Sequence, residues 1–261
     1  MRSLPWRIAM ASSTGTAHIA AGQRCQDAHR HLETMDAEGQ SVLVLAASDG
    51  AGSAEQAEVG AMLACDTFVR LVSTYLEQGG TVEAIGRPLA KRWIAGILYR
   101  LELQTRQRGG GLLRDYACTL LAAVIGVRGA AFLQIGDGAM VVSAGDGWQH
   151  VFWPQHGEFA NTTTFITLDH AAEAMDFETR RTPIEEIALF TDGLESLVLH
   201  KASRTVHGPF FDSMFASVRK SAASGVDAGL SRALGDYLSS PRINERTDDD
   251  KTLILASRKR A

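Results

Sequence analysis

The chain has 261 residues, which fits one large domain or two small ones with nothing forcing the second choice, and 45% apolar with 21% charged residues suits a substantial core. A formal charge of −4, from 26 basic and 30 acidic residues, gives no electrostatic case for nucleic acid. Cys25, Cys65 and Cys118 are an odd number with no CxxC pair, which argues against a disulfide scaffold and a structural zinc.

The opening residues lack a charged segment followed by a sustained apolar core, which reads against a secretory signal. The longest apolar run, 120–127, is too short to span a bilayer, so the expectation is a cytoplasmic protein without a membrane partner. Residues 6–33 are mixed in character and contain His18, His29 and His31. Residues 41–48, rich in Val and Leu, predict a strand. From Ala54 the period changes. Ala54, Ala57, Ala61, Ala64, Phe68, Leu71 and Tyr75 recur at three-or-four spacing, the stripe of an amphipathic helix, which "QGG" at 78–80 stops. A second helix is expected over 82–107, closing at the glycines 109–111. Strand-like runs follow at 117–127, 130–135, 140–143, 148–153 and 162–168, divided by turn signals such as "GVRG" and "AGDG". A short strand at 187–191, helices at 210–223 and 227–238, and a strand at 252–256 complete the pattern. Because the strands come as consecutive hairpins, antiparallel sheets with helices packed outside fit better than a doubly wound parallel sheet.

Four acidic junctions stand out. Asp49, Asp137 and Asp192 each follow an apolar strand candidate, and Asp249 precedes one. Asp-Gly is a common turn pair, so one such junction decides nothing. Strand ends can converge on one rim, however, and carboxylates that share a cleft need a cation to stay ionised. Oxygen-only ligands point to Mg²⁺ or Mn²⁺. Gly50 then leaves room for its own carbonyl to approach a metal.

In order along the chain, "SDGAGS" (48–53), "CTLLAAVI" (118–125), "QIGDGAM" (134–140), "FTDGLES" (190–196) and "DDDKTLILA" (248–256) resemble the motifs of the metal-dependent PPM/PP2C protein phosphatases. "RCQDAH" (24–29) falls where that family carries its N-terminal Glu-Asp motif, and "GEFANTTTFIT" (157–167) is similar to the bacterial PP2C-like branch. The resemblance implies an α+β, four-layer αββα sandwich of two antiparallel sheets flanked by helices, one domain over 1–261. It implies hydrolysis of phosphoserine and phosphothreonine in proteins by a metal-activated water at a binuclear Mg²⁺ or Mn²⁺ centre. By similarity, Asp49 bridges two ions, the Gly50 carbonyl helps to hold one, and Asp192 and Asp249 complete the first site. Asp137 matches a position that, with Asp192, binds a third ion in some relatives, and Asp27 holds metal-bound water. The partners implied are a phosphorylated protein substrate, a cognate Ser/Thr kinase and a von Willebrand A-type protein.

Three positions depart from the family pattern. Gln26 replaces the glutamate of the Glu-Asp pair, a neutral ligand that weakens metal affinity. Gly22 stands where a phosphate-binding arginine is expected, with Arg24 nearby but out of register. Ala51 follows the first Asp-Gly, where many relatives have a histidine that acts as general acid. These departures motivate a rival reading, a pseudophosphatase that binds a phosphoprotein with weak or no turnover; a third reading takes a small phosphometabolite as substrate. His18 and His29 are candidates for phosphate contact or for structural roles, and His156 lies in the flap segment. Trp148, Phe152 and Trp153 suit either a substrate surface or strand packing, and Cys25 and Cys118 are expected as core thiols.

Overall fold

The computed structural model describes residues 6–144, 147–155 and 163–259. Strands and helices are numbered along the chain. They form two main sheets, and the chain divides into two compact units, each assembled from separated stretches: Gln26–Asp137 with Pro154–Pro183, and Met1–Cys25 with Gly138–Trp153 and Ile184–Ala261.

The unit that begins at Gln26 is built on an antiparallel sheet of order β2-β3-β4-β5-β8. Its strands are β2 (Ala28–Met35), β3 (Ser41–Ser48), β4 (Leu120–Ile125), β5 (Ala130–Ile135) and β8 (Asp176–Arg180). Two long helices, α2 (Ala57–Glu77) and α3 (Arg87–Gln107), pack with it, and a short α4 (Ala171–Ala174) precedes β8. Val42, Val44 and Ala46 of β3 share a buried cluster with Phe68 and Val72 of α2 and Trp93 and Ile97 of α3. The alternate residues Leu43 and Leu45 are buried as well, so β3 is covered on both faces and reads as a continuous apolar run. One described helix, α2, is long and apolar enough to cross a membrane; here its stripe of Ala61, Ala64, Phe68 and Val72 is packed in the core.

The other unit holds a six-stranded sheet of order β12-β1-β13-β9-β6-β7. Its strands are β1 (Trp6–Ser13), β6 (Ala139–Ala144), β7 (Gly147–His150), β9 (Glu186–Phe190), β12 (Gly225–Val226) and β13 (Lys251–Arg258). All pairs are antiparallel except the two-residue pairing of β1 with β12. Helix α1 (Thr16–Ala20) follows β1, and α5 (Glu195–Val198) leads into the small hairpin of β10 (Leu199–His200) and β11 (Thr205–Val206). Helices α6 (Gly208–Lys220), α7 (Ala228–Leu238) and α8 (Pro241–Asn244) follow. Phe211 and Phe215 of α6 and Leu234 and Leu238 of α7 bury against Ala9, Val141, Ala188, Phe190 and Leu253 of the sheet. Trp148 stacks on Phe215, with ring centroids 4.8 Å apart, and its indole N–H donates to Asp212 Oδ1, so it is a packing residue.

Several sequence expectations need correction. The helix expected over 82–107 is a single 3₁₀ turn at Val82–Ala84 followed by α3, because Gly86 is extended and Pro88 starts a new helix. Residues 163–168 form no strand: Leu168 N–H closes a turn onto Phe165, and Ile166 N–H donates to the Cys118 carbonyl. Thr162 and His156 lie outside the described residues. The run 148–153 is strand only as far as His150. Cys118 is a core thiol as expected, whereas Cys25 is only half-buried.

Candidate metal centre

In the unit that begins at Gln26, register puts the predicted acidic residues at one end of the sheet. Ala28 pairs with Ser48, Ala47 with Leu121, and Leu120 with Ile135. Asp27 therefore precedes β2, Asp49 follows β3, Thr119 precedes β4 and Asp137 lies just past β5, all at the same end. Thr119 fixes the Asp49 backbone from both sides. Its hydroxyl accepts the Asp49 N–H at 2.9 Å, and its own N–H donates to the Asp49 carbonyl at 2.8 Å. Gly50 N–H donates to the Gln26 carbonyl at 3.2 Å, which ties the Gln26-Asp27 segment to this turn.

Gly50 has a reason for its missing side chain that the sequence does not announce. A Cβ there would meet the Ala57 carbonyl oxygen at 2.6 Å, so glycine lets the start of α2 press onto the loop. Asp137 stands between Gly136 and Gly138, both with positive φ, at +95° and +80°. The Gly136 N–H donates to Gln155 Oε1 at 2.8 Å, and Asp137 Oδ2 accepts the Thr163 hydroxyl at 2.6 Å. This arrangement brings carboxylate oxygens of Asp49 and Asp137 within 4.8 Å of one another. Ala51 is buried with Ala54, Ala57 and Ala117, a packing position with no polar group. His29 is pushed down to about 4 by burial first, then by Arg30 and His31, so its imidazole is neutral at pH 7.

The second sheet gathers its predicted residues in the same manner. Ser13 pairs with Lys251, Phe190 with Leu253, and Ala139 with Phe190. Asp192 after β9, Asp249 before β13, and the residues that follow β1 thus share one end. Here Thr191 is the clamp. Its hydroxyl accepts the Thr252 N–H at 2.9 Å and its N–H donates to the Thr252 carbonyl at 3.2 Å. A Cβ on Gly193 would lie 2.0 Å from the Asp250 carbonyl oxygen, so the glycine after Asp192 is a close-approach residue. Asp249 is exposed, whereas Asp250 is 1% exposed. The buried Lys251 ammonium donates to Asn244 Oδ1 and to the Asp249 carbonyl, both at 3.0 Å. The buried Glu195 accepts the Gly138 N–H at 2.8 Å. Arg24 is exposed in the loop after α1, and Gly22 in that loop has φ +68° with open space around it.

Sequence reading missed Thr119, Thr191, Asp250 and the contact of Asp250 with His18. Both threonines sit inside the quoted motifs, but a threonine beside a strand is ordinary, and only the paired hydrogen bonds reveal its use.

Comparison with known proteins identifies the family. Residues 14–239 match the protein phosphatase 2C family. The chain is 37% identical over 253 residues to the Escherichia coli "Serine/threonine-protein phosphatase 3", covering 97% of this chain and 98% of that protein. Among solved structures, serine/threonine phosphatase Stp1 from Staphylococcus aureus superposes with a TM-score of 0.61 at 16% identity, over 97% of this chain and 95% of that one. The catalytic domain of the serine/threonine phosphatase PstP, solved with two manganese ions, gives 0.60 at 12% identity, over 98% and 99%. The chain belongs to the protein phosphatase 2C family. Its α+β fold of two main antiparallel sheets with helices is that of the bacterial members.

Proposed function

We propose that the acidic ends of the two sheets act together as one binuclear centre, at which this chain hydrolyses phosphoserine and phosphothreonine in proteins. Family membership supplies the reaction class: the chain is a protein serine/threonine phosphatase. The observation that supports the metal reading most is the approach of the Asp49 and Asp137 carboxylates. Two ionised carboxylates at that range repel unless a cation lies between them, and an all-oxygen donor set selects a hard divalent ion. The residues present therefore fit Mn²⁺ or Mg²⁺.

In this reading the Asp49 carboxylate, the Gly50 carbonyl, Asp192 and Asp249 hold two ions, with Gln26 contributing an amide oxygen. Asp137 with Asp192 offers a third position. The solved relative with two manganese ions supports that number and favours Mn²⁺. When bound, such ions lower the pKa of water and offset charge on the phosphoryl oxygens. The chain's own contribution is to hold its carboxylates at fixed strand ends through Thr119 and Thr191, and to orient the attacking water through Asp27. Arg24 reaches the substrate phosphate from its exposed loop. A phosphorylated protein is the substrate; a cognate kinase and a von Willebrand A-type protein are the partners suggested by the 157–167 sequence. A cytoplasmic location and action of the two units as one catalytic domain complete the reading.

The test is hydrolysis of a phosphoserine peptide with Mn²⁺, with and without chelator. Asp49→Asn and Asp192→Asn, one from each unit, should each lower turnover on the order of 10²–10³-fold. Turnover that persists under chelation, or in both variants, would contradict the proposal.

A further inference from the structure

The end of the six-stranded sheet carries one more pair of groups. Asp250 is 1% exposed, and its Oδ1 accepts the Gly15 N–H at 2.7 Å. His18 Nδ1 stands 2.9 Å from Asp250 Oδ2, a contact that is an ion pair when the imidazole is protonated. A buried carboxylate is costly unless a cation or donors compensate it, and here a backbone amide and an imidazole take that place. With Nδ1 on the carboxylate, Nε2 lies across the ring from it. The imidazole is 16% exposed, so it is reachable by a ligand.

The position of the pair matters as much as its chemistry. Asp250 adjoins Asp249 in the chain and is 1% exposed, while its carbonyl oxygen occupies the space a Gly193 side chain would need, next to Asp192. Ala17 N–H donates to the Asp248 carbonyl at 3.0 Å, which fixes the helix that bears His18 onto the same segment. His18 thus belongs to the rim that presents Asp192 and Asp249. A departing serine alkoxide is strongly basic and needs a proton as the P–O bond breaks. The residue after the first Asp-Gly is the buried Ala51, which has none to give.

We propose that His18, backed by Asp250, is the catalytic acid that protonates the leaving serine or threonine oxygen; this rests on the phosphatase reading above. As the bond from phosphorus to the serine oxygen breaks, its electron pair stays on that oxygen, which takes the proton from His18 Nε2. Water supplies the new oxygen on phosphorus and releases one proton to solvent, from which His18 is reprotonated. Asp250 is a positioning residue: its carboxylate lies against Nδ1 and leaves Nε2 on the far side of the ring. General acid catalysis of this kind contributes about 10²–10⁴-fold for a poor leaving group and far less for a good one.

The experiment compares two leaving groups in the Mn²⁺-loaded protein: a phosphoserine peptide, whose alkoxide is a poor leaving group, and p-nitrophenyl phosphate, whose phenolate leaves readily. In His18→Gln, kcat on the peptide should fall about 10²-fold, at least ten times more than on p-nitrophenyl phosphate. Asp250→Asn should show the same selectivity with a smaller loss, in kcat and not in KM. Calorimetric Mn²⁺ affinity of His18→Gln should equal that of the wild type. Across a series of substituted phenyl phosphates, wild-type kcat/KM should depend only weakly on leaving-group pKa, a result that needs no variant. Equal losses on both substrates, no loss on either, weakened Mn²⁺ binding, or a steep wild-type dependence would each overturn the assignment of His18. A wild type that hydrolyses neither substrate with Mn²⁺ would instead overturn the phosphatase reading, and this proposal with it.

Discussion

Gly50 and Gly193 follow aspartates that lie just past the interior strands β3 and β9, and neither adopts a left-handed backbone. What each needs is the absence of a Cβ, because backbone oxygens of Ala57 and Asp250 occupy that space at 2.6 Å and 2.0 Å. Gly50→Ala and Gly193→Ala should therefore each destabilise the fold by about 1–3 kcal/mol through forced backbone shifts. Thermal melting checks this, and melting curves that match the wild type would remove the close-approach account. The cysteines give a second prediction at this scale. Burial pushes the Cys118 thiol up to about 12, with Asp49 adding to the rise against a hydrogen bond with Ser48, and Cys65 is raised mainly by burial. Cys25 is half-buried. A thiol reagent should thus titrate one cysteine at pH 8 in the native protein and all three in denaturant. Three fast equivalents in the native state would contradict the packing around β4.

The elements differ in how plainly their sequences announce them. β3 and β5 match their expected bounds because each is a mostly apolar run cut off by Asp or Gly. β1, β2 and β8 escaped reading, since WRIAMASS, AHRHLETM and DFETR mix charged and apolar residues without clean alternation. β2 and β8 are edge strands of their sheet, where one side needs no apolar neighbour, and β1 is recognisable only through its full-length pairing with β13. Helix α7 shows a local signal that is legible: Asp227 caps it by accepting the Gly229 and Leu230 N–H groups at 2.9 and 3.0 Å. The Ser221 hydroxyl, then these amides, hold the Asp227 carboxyl below its ordinary range. Its contribution to stability is therefore present above the unfolded-state value and is lost as pH falls through the lower folded-state value. Asp227→Ala should lower the melting temperature at pH 7, and the gap from wild type should narrow in acid. A gap that is constant with pH would show that the charged cap is not the cause.

At the scale of the whole molecule, the chain places acidic residues far apart in sequence at one end of each of two sheets. That Asp49, Asp137, Asp192 and Asp249 follow or precede apolar strands was legible, because a turn after a buried strand shows in composition alone. Register decides which ends they share, and it depends on long-range pairing that no local pattern reveals. The same limit hid the Asp250–His18 contact, which joins residues 232 positions apart (250 − 18). The central claim is that carboxylates from both sheets hold the same divalent ions. Its most direct test is calorimetric titration of Mn²⁺ into metal-stripped wild type, Asp49→Asn and Asp192→Asn. The account predicts binding of two ions by the wild type and loss of high-affinity binding in both variants, although their mutated residues lie in different units. Undiminished binding in either variant, or none in the wild type, would contradict it.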